Sequence, residues 1–137
     1  MKIFVICSKH FYDRVLPIKL ELESKGHIIQ LPNSFEEPFK EEEMKKLSKE
    51  AHIKWKQNML RQHYPNVSKN DAVLVLNFEK NNQQNYIGGA TFAEILTAFH
   101  LNKKIFLFNP IPDNIFKDEL TAINPKIING NLSEIID

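Results

Sequence analysis

Short, wholly apolar runs alternate with stretches whose apolar residues recur every three or four positions, and the alternation persists along the chain. Ile3-Phe4-Val5-Ile6-Cys7 is a continuous run rich in β-formers, the pattern of a strand buried on both faces. Phe11, Val15, Ile18 and Leu22 follow at helical spacing, with Pro17 predicting an irregular start and Gly26 a stop. His27-Ile28-Ile29-Gln30-Leu31 reads as a second strand closed by Pro32. From Pro38 to His63 runs the longest helical pattern, with Met44, Leu47, Ala51, Trp55 and Met59 on one stripe. Its acids cluster early (Glu41, Glu42, Glu43) and its bases late (Lys54, Lys56, Arg61), as the helix dipole favours. Unbroken, it would be roughly 39 Å long at 1.5 Å per residue. Either it breaks near Ser48 or one end projects onto a partner subunit, and Pro65 is expected to block its continuation.

Asp71-Ala72-Val73-Leu74-Val75-Leu76-Asn77 is the clearest buried strand. A polar loop from Glu79 to Tyr86 and a helix from Thr91 to Leu101 follow. Lys104 to Phe108 reads as a fourth strand, Asp113 to Ala122 as a helix, Lys126-Ile127-Ile128 as a last strand, and Leu132 to Ile136 as a terminal helical turn. Five short apolar strands separated by helices predict a parallel sheet covered on both faces. The expected fold is therefore α/β, a flavodoxin-like or Rossmann-like three-layer sandwich in one domain spanning 1–137. Such sheets bind ligands outside the carboxyl ends of their strands, where the strand order reverses. That singles out three loops: Ser8 to Tyr12, Asn77 to Ala90, and Asn109 to Asp113.

Composition narrows the chemistry. The 18 basic and 17 acidic side chains leave a net charge of +1, so no cationic excess exists to meet a nucleic-acid polymer. A single cysteine, Cys7, removes intrachain disulfides, thiolate zinc sites and Cys-x-x-Cys redox chemistry. No apolar run near the N-terminus is long enough for a signal peptide or a membrane span, so a cytoplasmic protein without a membrane partner is expected. Cys7-Ser8-Lys9-His10-Phe11 after the first strand is no dinucleotide fingerprint, and the chain has no Gly-Lys-Ser/Thr phosphate loop. A phospho-acceptor domain would need acids where Cys7, Ser8 and Asn77 stand. His10, His27, His52, His63 and His100 lack metal-ligand spacing and are expected to be surface or hydrogen-bonded residues. No metal and no cofactor are expected. Cys7, near His10, could be a thiolate nucleophile, but a lone cysteine ending a buried strand is ordinarily a small hydrophobe.

The remaining constellation is Asn85-Tyr86-Ile87-Gly88-Gly89-Ala90-Thr91-Phe92-Ala93-Glu94, between the third strand and its helix. Paired glycines let the backbone turn sharply and approach a ligand, and the helix N-terminus offers free N–H groups. Glu94 would stand one turn into the helix beside the cleft. The same Thr91-x-x-Glu94 spacing is also that of a capping box, in which Thr91 caps the helix and Glu94 reaches back to its backbone. Under that alternative the glycines serve only the turn.

These residues resemble a family. A strand, a loop, Gly-Thr-x-x-Glu, a small residue four after the Glu, a Gly-Lys turn and another strand is the pattern of the nucleoside 2-deoxyribosyltransferase superfamily. Here it runs through Asp71–Asn77, Thr91, Glu94, Ala98 and Lys103-Lys104-Ile105. The Gly-Gly and Thr-x-x-Glu run is also similar to phosphoribohydrolases of the lysine-decarboxylase-like group. The resemblance implies cleavage or transfer at the N-glycosidic bond of a nucleoside or nucleotide, with Glu94 attacking C1′ as nucleophile. A non-catalytic nucleotide- or nucleoside-binding module of the same fold is the alternative. The expected substrate contacts are Ser8, His10, Tyr12, Asn77, Tyr86, Gly88, Gly89 and Thr91. Tyr12 or Tyr86 would stack on the base, Phe11 would pack in the core, and Lys9, His10 and Arg14 would meet a 5′-phosphate. The loop from Phe78 to Ala90 holds no aspartate and only one acid, Glu79, so the family's auxiliary acid has no counterpart there. Asn77, Asn85 or Tyr86, or a partner subunit in a homodimer, would fill its place.

Overall fold

A computed structural model describes Met1–Asp137. Five parallel strands form one sheet in the order β2-β1-β3-β4-β5. They are β1 (Lys2–Ile6), β2 (Ile28–Gln30), β3 (Ala72–Val75), β4 (Lys104–Leu107) and β5 (Lys126–Ile127). The central strands are buried on both faces, which is why they read as unbroken apolar runs. Alternation along each strand sorts them into two cores. Ile3, Val5, Leu74 and Leu76 face one side, with Val15, Ile18 and Leu22 of α1 (Val15–Ser24). Phe4, Ile6, Val73 and Val75 face the other, with Val67, Ile95, Ala98 and Leu120. These last residues belong to α4 (His63–Ser68), α5 (Gly89–His100) and α6 (Lys117–Ile123). The three-layer sandwich expected from the pattern is the fold.

A 3-10 helix, Lys9–Arg14, precedes α1, the irregular start that Pro17 announced. The long pattern from Pro38 does not project as one rod. It breaks at Ser48 into α2 (Lys40–Leu47) and α3 (Lys49–Arg61). Ser48 is extended, at φ −172° and ψ 164°, and its hydroxyl accepts the Ala51 N–H at 3.0 Å, capping α3 while ending α2. The α3 helix ends at Arg61, four residues before Pro65, which lies within the first turn of the separate helix α4, where its missing N–H is no loss. No residue of α2 or α3 is buried, and the pair packs mainly on itself at the carboxyl end of the sheet.

Asparagine does in this chain much of what glycine does elsewhere. Asn81, Asn82, Asn85, Asn102, Asn124 and Asn129 all take positive φ, which their short polar side chains tolerate. Two of them shape the tight turn Lys80–Gln83 next to the site. No helix is long and apolar enough to cross a membrane.

Candidate functional site

The reversal of strand order falls between β1 and β3, and a cleft of about 280 Å³ opens at their carboxyl ends. Its floor is built by the turn after β1 (Cys7, Ser8, His10, Tyr12) and by the start of α5 (Gly88, Gly89, Thr91, Glu94), with Tyr86 between them. Its roof comes from elsewhere in the chain: Asn33 and Ser34 after β2, Glu41 on α2, Trp55, Lys56 and Met59 on α3, and His63 opening α4. The sequence reading found the floor and missed the roof.

Helix α5 starts at Gly89, with Gly88 as its N-cap at φ −86° and ψ 176° and no side-chain hydrogen bond to the first turn. This overturns the capping-box alternative. Thr91 lies inside the helix, and Glu94 lies a turn too far along to reach the cap. Both are buried, at 5% and 7% exposure, and both line the cleft. The only side-chain hydrogen bond from α5 is that of Thr97 to Ala93. Their oxygens are not sealed off from solvent either, so they open onto the cleft. Burial alone pushes the Glu94 carboxyl up to about 8, with no charge or hydrogen bond pulling it down.

The glycines act through space rather than through unusual dihedrals, because neither has positive φ. A Cβ on Gly88 would meet the Tyr86 hydroxyl at 3.0 Å, whereas one on Gly89 would enter open space. Gly88 thus seats Tyr86, and Gly89 leaves backbone bare at the cleft wall. Lys80 lies over the Tyr86 ring at 4.4 Å. Ser8 caps the 3-10 helix through a long bond from the His10 N–H at 3.4 Å, and His10 stands exposed beside it. Desolvation, then Lys80 and Lys9, push the His10 imidazole below its usual range. Burial, then the nearby Cys7 and Glu94, raise the Tyr12 phenol, so Tyr12 remains a donor. Burial and Glu94 likewise raise the Cys7 thiol, which overturns the thiolate reading.

Two expectations are corrected. Asn77 is fully buried outside the cleft: its amide donates to the Asn109 and Pro110 carbonyls at 2.9 and 3.0 Å, and its Oδ1 accepts the Asn109 N–H at 2.8 Å. It clamps the ends of β3 and β4 together, with both amide protons spent and the side chain buried away from the cleft. Arg14 lies 3.9 Å over the Phe78 ring and does not line the cleft, and Lys9 is ion-paired with Glu42 of α2. Arg14 is therefore turned away from any phosphate there, while Lys9 and His10 line the cleft. Phe11 packs edge-on against Phe78 in the core, as expected.

On the roof, Glu41 accepts from His52 Nε2 at 2.9 Å and Lys56 Nζ at 3.3 Å. Burial works against its charge, yet His52 and Lys56 hold its pKa below the usual carboxylate value. Glu41 thus remains an anion while Glu94 holds a proton. His63 is 7% exposed and lines the cleft; burial and then Lys56 push its imidazole below the ordinary 6.5. No three His, Cys, Asp or Glu side chains are placed to share a metal ion. Comparison with known proteins matches no family model, no curated protein and no solved structure. The deoxyribosyltransferase resemblance therefore stands on the residues themselves.

Proposed function

We propose that this chain cleaves or transfers at the N-glycosidic bond of a nucleoside or nucleotide, with Glu94 as the nucleophile. The observation that carries this reading is a buried, unpaired carboxyl opening onto a cleft at the strand-order reversal. Such a group is costly to keep unless a ligand completes it. A centre with oxocarbenium character at C1′ would complete it, because positive charge developing beside an unscreened carboxylate is stabilised far more than in water. Attack by Glu94 Oε forms a glycosyl-enzyme as the base departs, and water or a second base then resolves it. The bare backbone at Gly89 leaves room for the sugar, and Tyr12, Tyr86 and Trp55 offer faces for the base. The reading includes a homodimer in the cytoplasm.

A non-catalytic nucleoside-binding module is the second reading, favoured by the proton on Glu94 near neutral pH, since a protonated carboxyl binds but does not attack. Chromatography of free base separates the two. Wild-type protein with a panel of nucleosides, deoxynucleosides and monophosphates should release base, and Glu94→Gln should not. Saturable binding without release would favour the module. Dependence of release on an added acceptor base would distinguish transferase from hydrolase.

A further inference from the structure

His63 is a buried histidine that neither expectation for it fits: it is not on the surface and it is not hydrogen-bonded. Nothing but burial and the Lys56 charge acts on its ring, and its nitrogens are not sealed from solvent. It lines the same cleft as Glu94, from α4, which packs directly on α5. The charged and titratable groups around it are Lys56 and Arg61 of α3, Glu94 and His100 of α5, and Glu41 of α2 across the cleft. Of the other proton carriers in the cleft, His10 stands exposed at the floor's edge beside Lys9 and Lys80, whereas His63 is buried. Glu41 is locked as an anion between His52 and Lys56, and the Tyr12 phenol is held protonated.

The geometry points to His63 as the acid–base residue that carries the proton between the departing base and the acceptor, opposite Glu94. This inference rests on the glycosidic reading of the site. The cycle balances as follows. Glu94 attacks C1′, the C1′–N bond breaks, and the electron pair left on the base nitrogen takes a proton from the His63 imidazolium. Neutral His63 then removes a proton from water, whose oxygen attacks C1′. The C1′–O bond to Glu94 breaks and returns its electron pair to the carboxylate, leaving imidazolium and carboxylate as at the start.

The reacting form is carboxylate with imidazolium. The resting pair holds the same single proton on the carboxyl, so one pH window populates both arrangements. Activity on a nucleoside should therefore be bell-shaped, falling in acid as both groups protonate and falling above about 8 as the pair loses its proton.

The test measures kcat/KM against pH for wild type, His63→Gln and Glu94→Gln, on a nucleoside and on a 4-nitrophenyl riboside whose leaving group departs without a proton. His63→Gln should lose about 10²–10⁴-fold on the nucleoside, lose less than about tenfold on the nitrophenyl riboside, and lack the alkaline fall. Should His63→Gln fail to fold, wild type alone decides, because the alkaline limb should be present with the nucleoside and absent with the nitrophenyl riboside. Equal losses on both substrates, or an alkaline fall that persists on the nitrophenyl riboside, would overturn the role of His63 and leave Glu94 in place. Full activity of Glu94→Gln would overturn the glycosidic reading itself.

Discussion

On one side of the cleft, Thr91, Glu94 and Ile95 belong to a helix whose inward face is buried against β3 and β4; on the other, α2 and α3 bury no residue at all. The floor therefore owes its position to the core. The roof is held by polar contacts: Lys9 reaches across to Glu42, while Asn33 to the Met59 sulfur at 3.9 Å and the Glu41–His52–Lys56 cluster tie its own parts together. Its apolar side chains face water, with Leu47 at 70% and Ile53 at 43% exposure. A rigid floor with a reactive acid under a loosely held roof is how a site fixes its chemistry and still admits a ligand.

Glu94 is where the contrast is steepest. Glu94→Gln should lower base release by at least about 10³-fold while making the fold more stable. Its carboxyl titrates at about 8 in the folded chain against 4.5 for an ordinary glutamate. Between those values the folded chain keeps a proton that the unfolded chain has released. The stabilisation is complete below about pH 4.5 and is lost as pH rises to about 8. Glutamine removes that loss, so Tm should rise by about 5–10 °C at pH 9 and by less than about 2 °C at pH 5. A Gln variant no more stable than wild type at pH 9 would mean that Glu94 is paired in solution and not a strained acid.

Next in size is the difference between floor and roof. Leu74→Ala, in the fully buried centre of β3, should cost about 2–5 kcal/mol by chemical denaturation. Ile53→Ala, on the outer side of α3, should stay within about 0.5 kcal/mol. Comparable costs at the two positions would show that the roof is part of the cooperative core. Hydrogen exchange sharpens the same point: amides of α2 and α3 should exchange well before those of β1 and β3.

The strands were legible because β1, β3 and β4 are buried on both faces and so carry no polar alternation. The break at Ser48 was legible because serine is both a helix terminator and a cap. The capping-box alternative for Thr91-x-x-Glu94 fails because Gly88 supplies the cap geometry with backbone alone, which moves the helix start upstream and frees both side chains for the cleft. The roof was invisible for a different reason. Trp55, Met59 and His63 lie on ordinary helical patterns, and only the placing of α3 over the cleft and of α4 against α5 brings them to the site of Glu94. Asn77 erred the other way: it ends a strand at the right place, yet its amide is consumed by Asn109 and Pro110.

The chain's only tryptophan, Trp55, lines the roof, so nucleoside addition should change its emission saturably, and more for Glu94→Gln, which holds substrate without consuming it. Unchanged emission alongside measured binding would place the ligand away from the roof. The smallest effects are at the glycines. Gly89→Ala should leave stability unchanged or raise it by up to about 1 kcal/mol while weakening substrate binding. Gly88→Ala should cost about 1 kcal/mol by displacing Tyr86. A loss of stability at Gly89 larger than at Gly88 would reverse this assignment.

Trapping the glycosyl-enzyme tests the central claim most directly. The protein would be incubated with a 2-fluoro nucleoside, whose fluorine slows breakdown of the covalent sugar, quenched in acid, digested and read by peptide mass spectrometry. The account predicts a sugar adduct on Glu94 that is absent from Glu94→Gln. Base release with no adduct, or an adduct on any other residue, would contradict it.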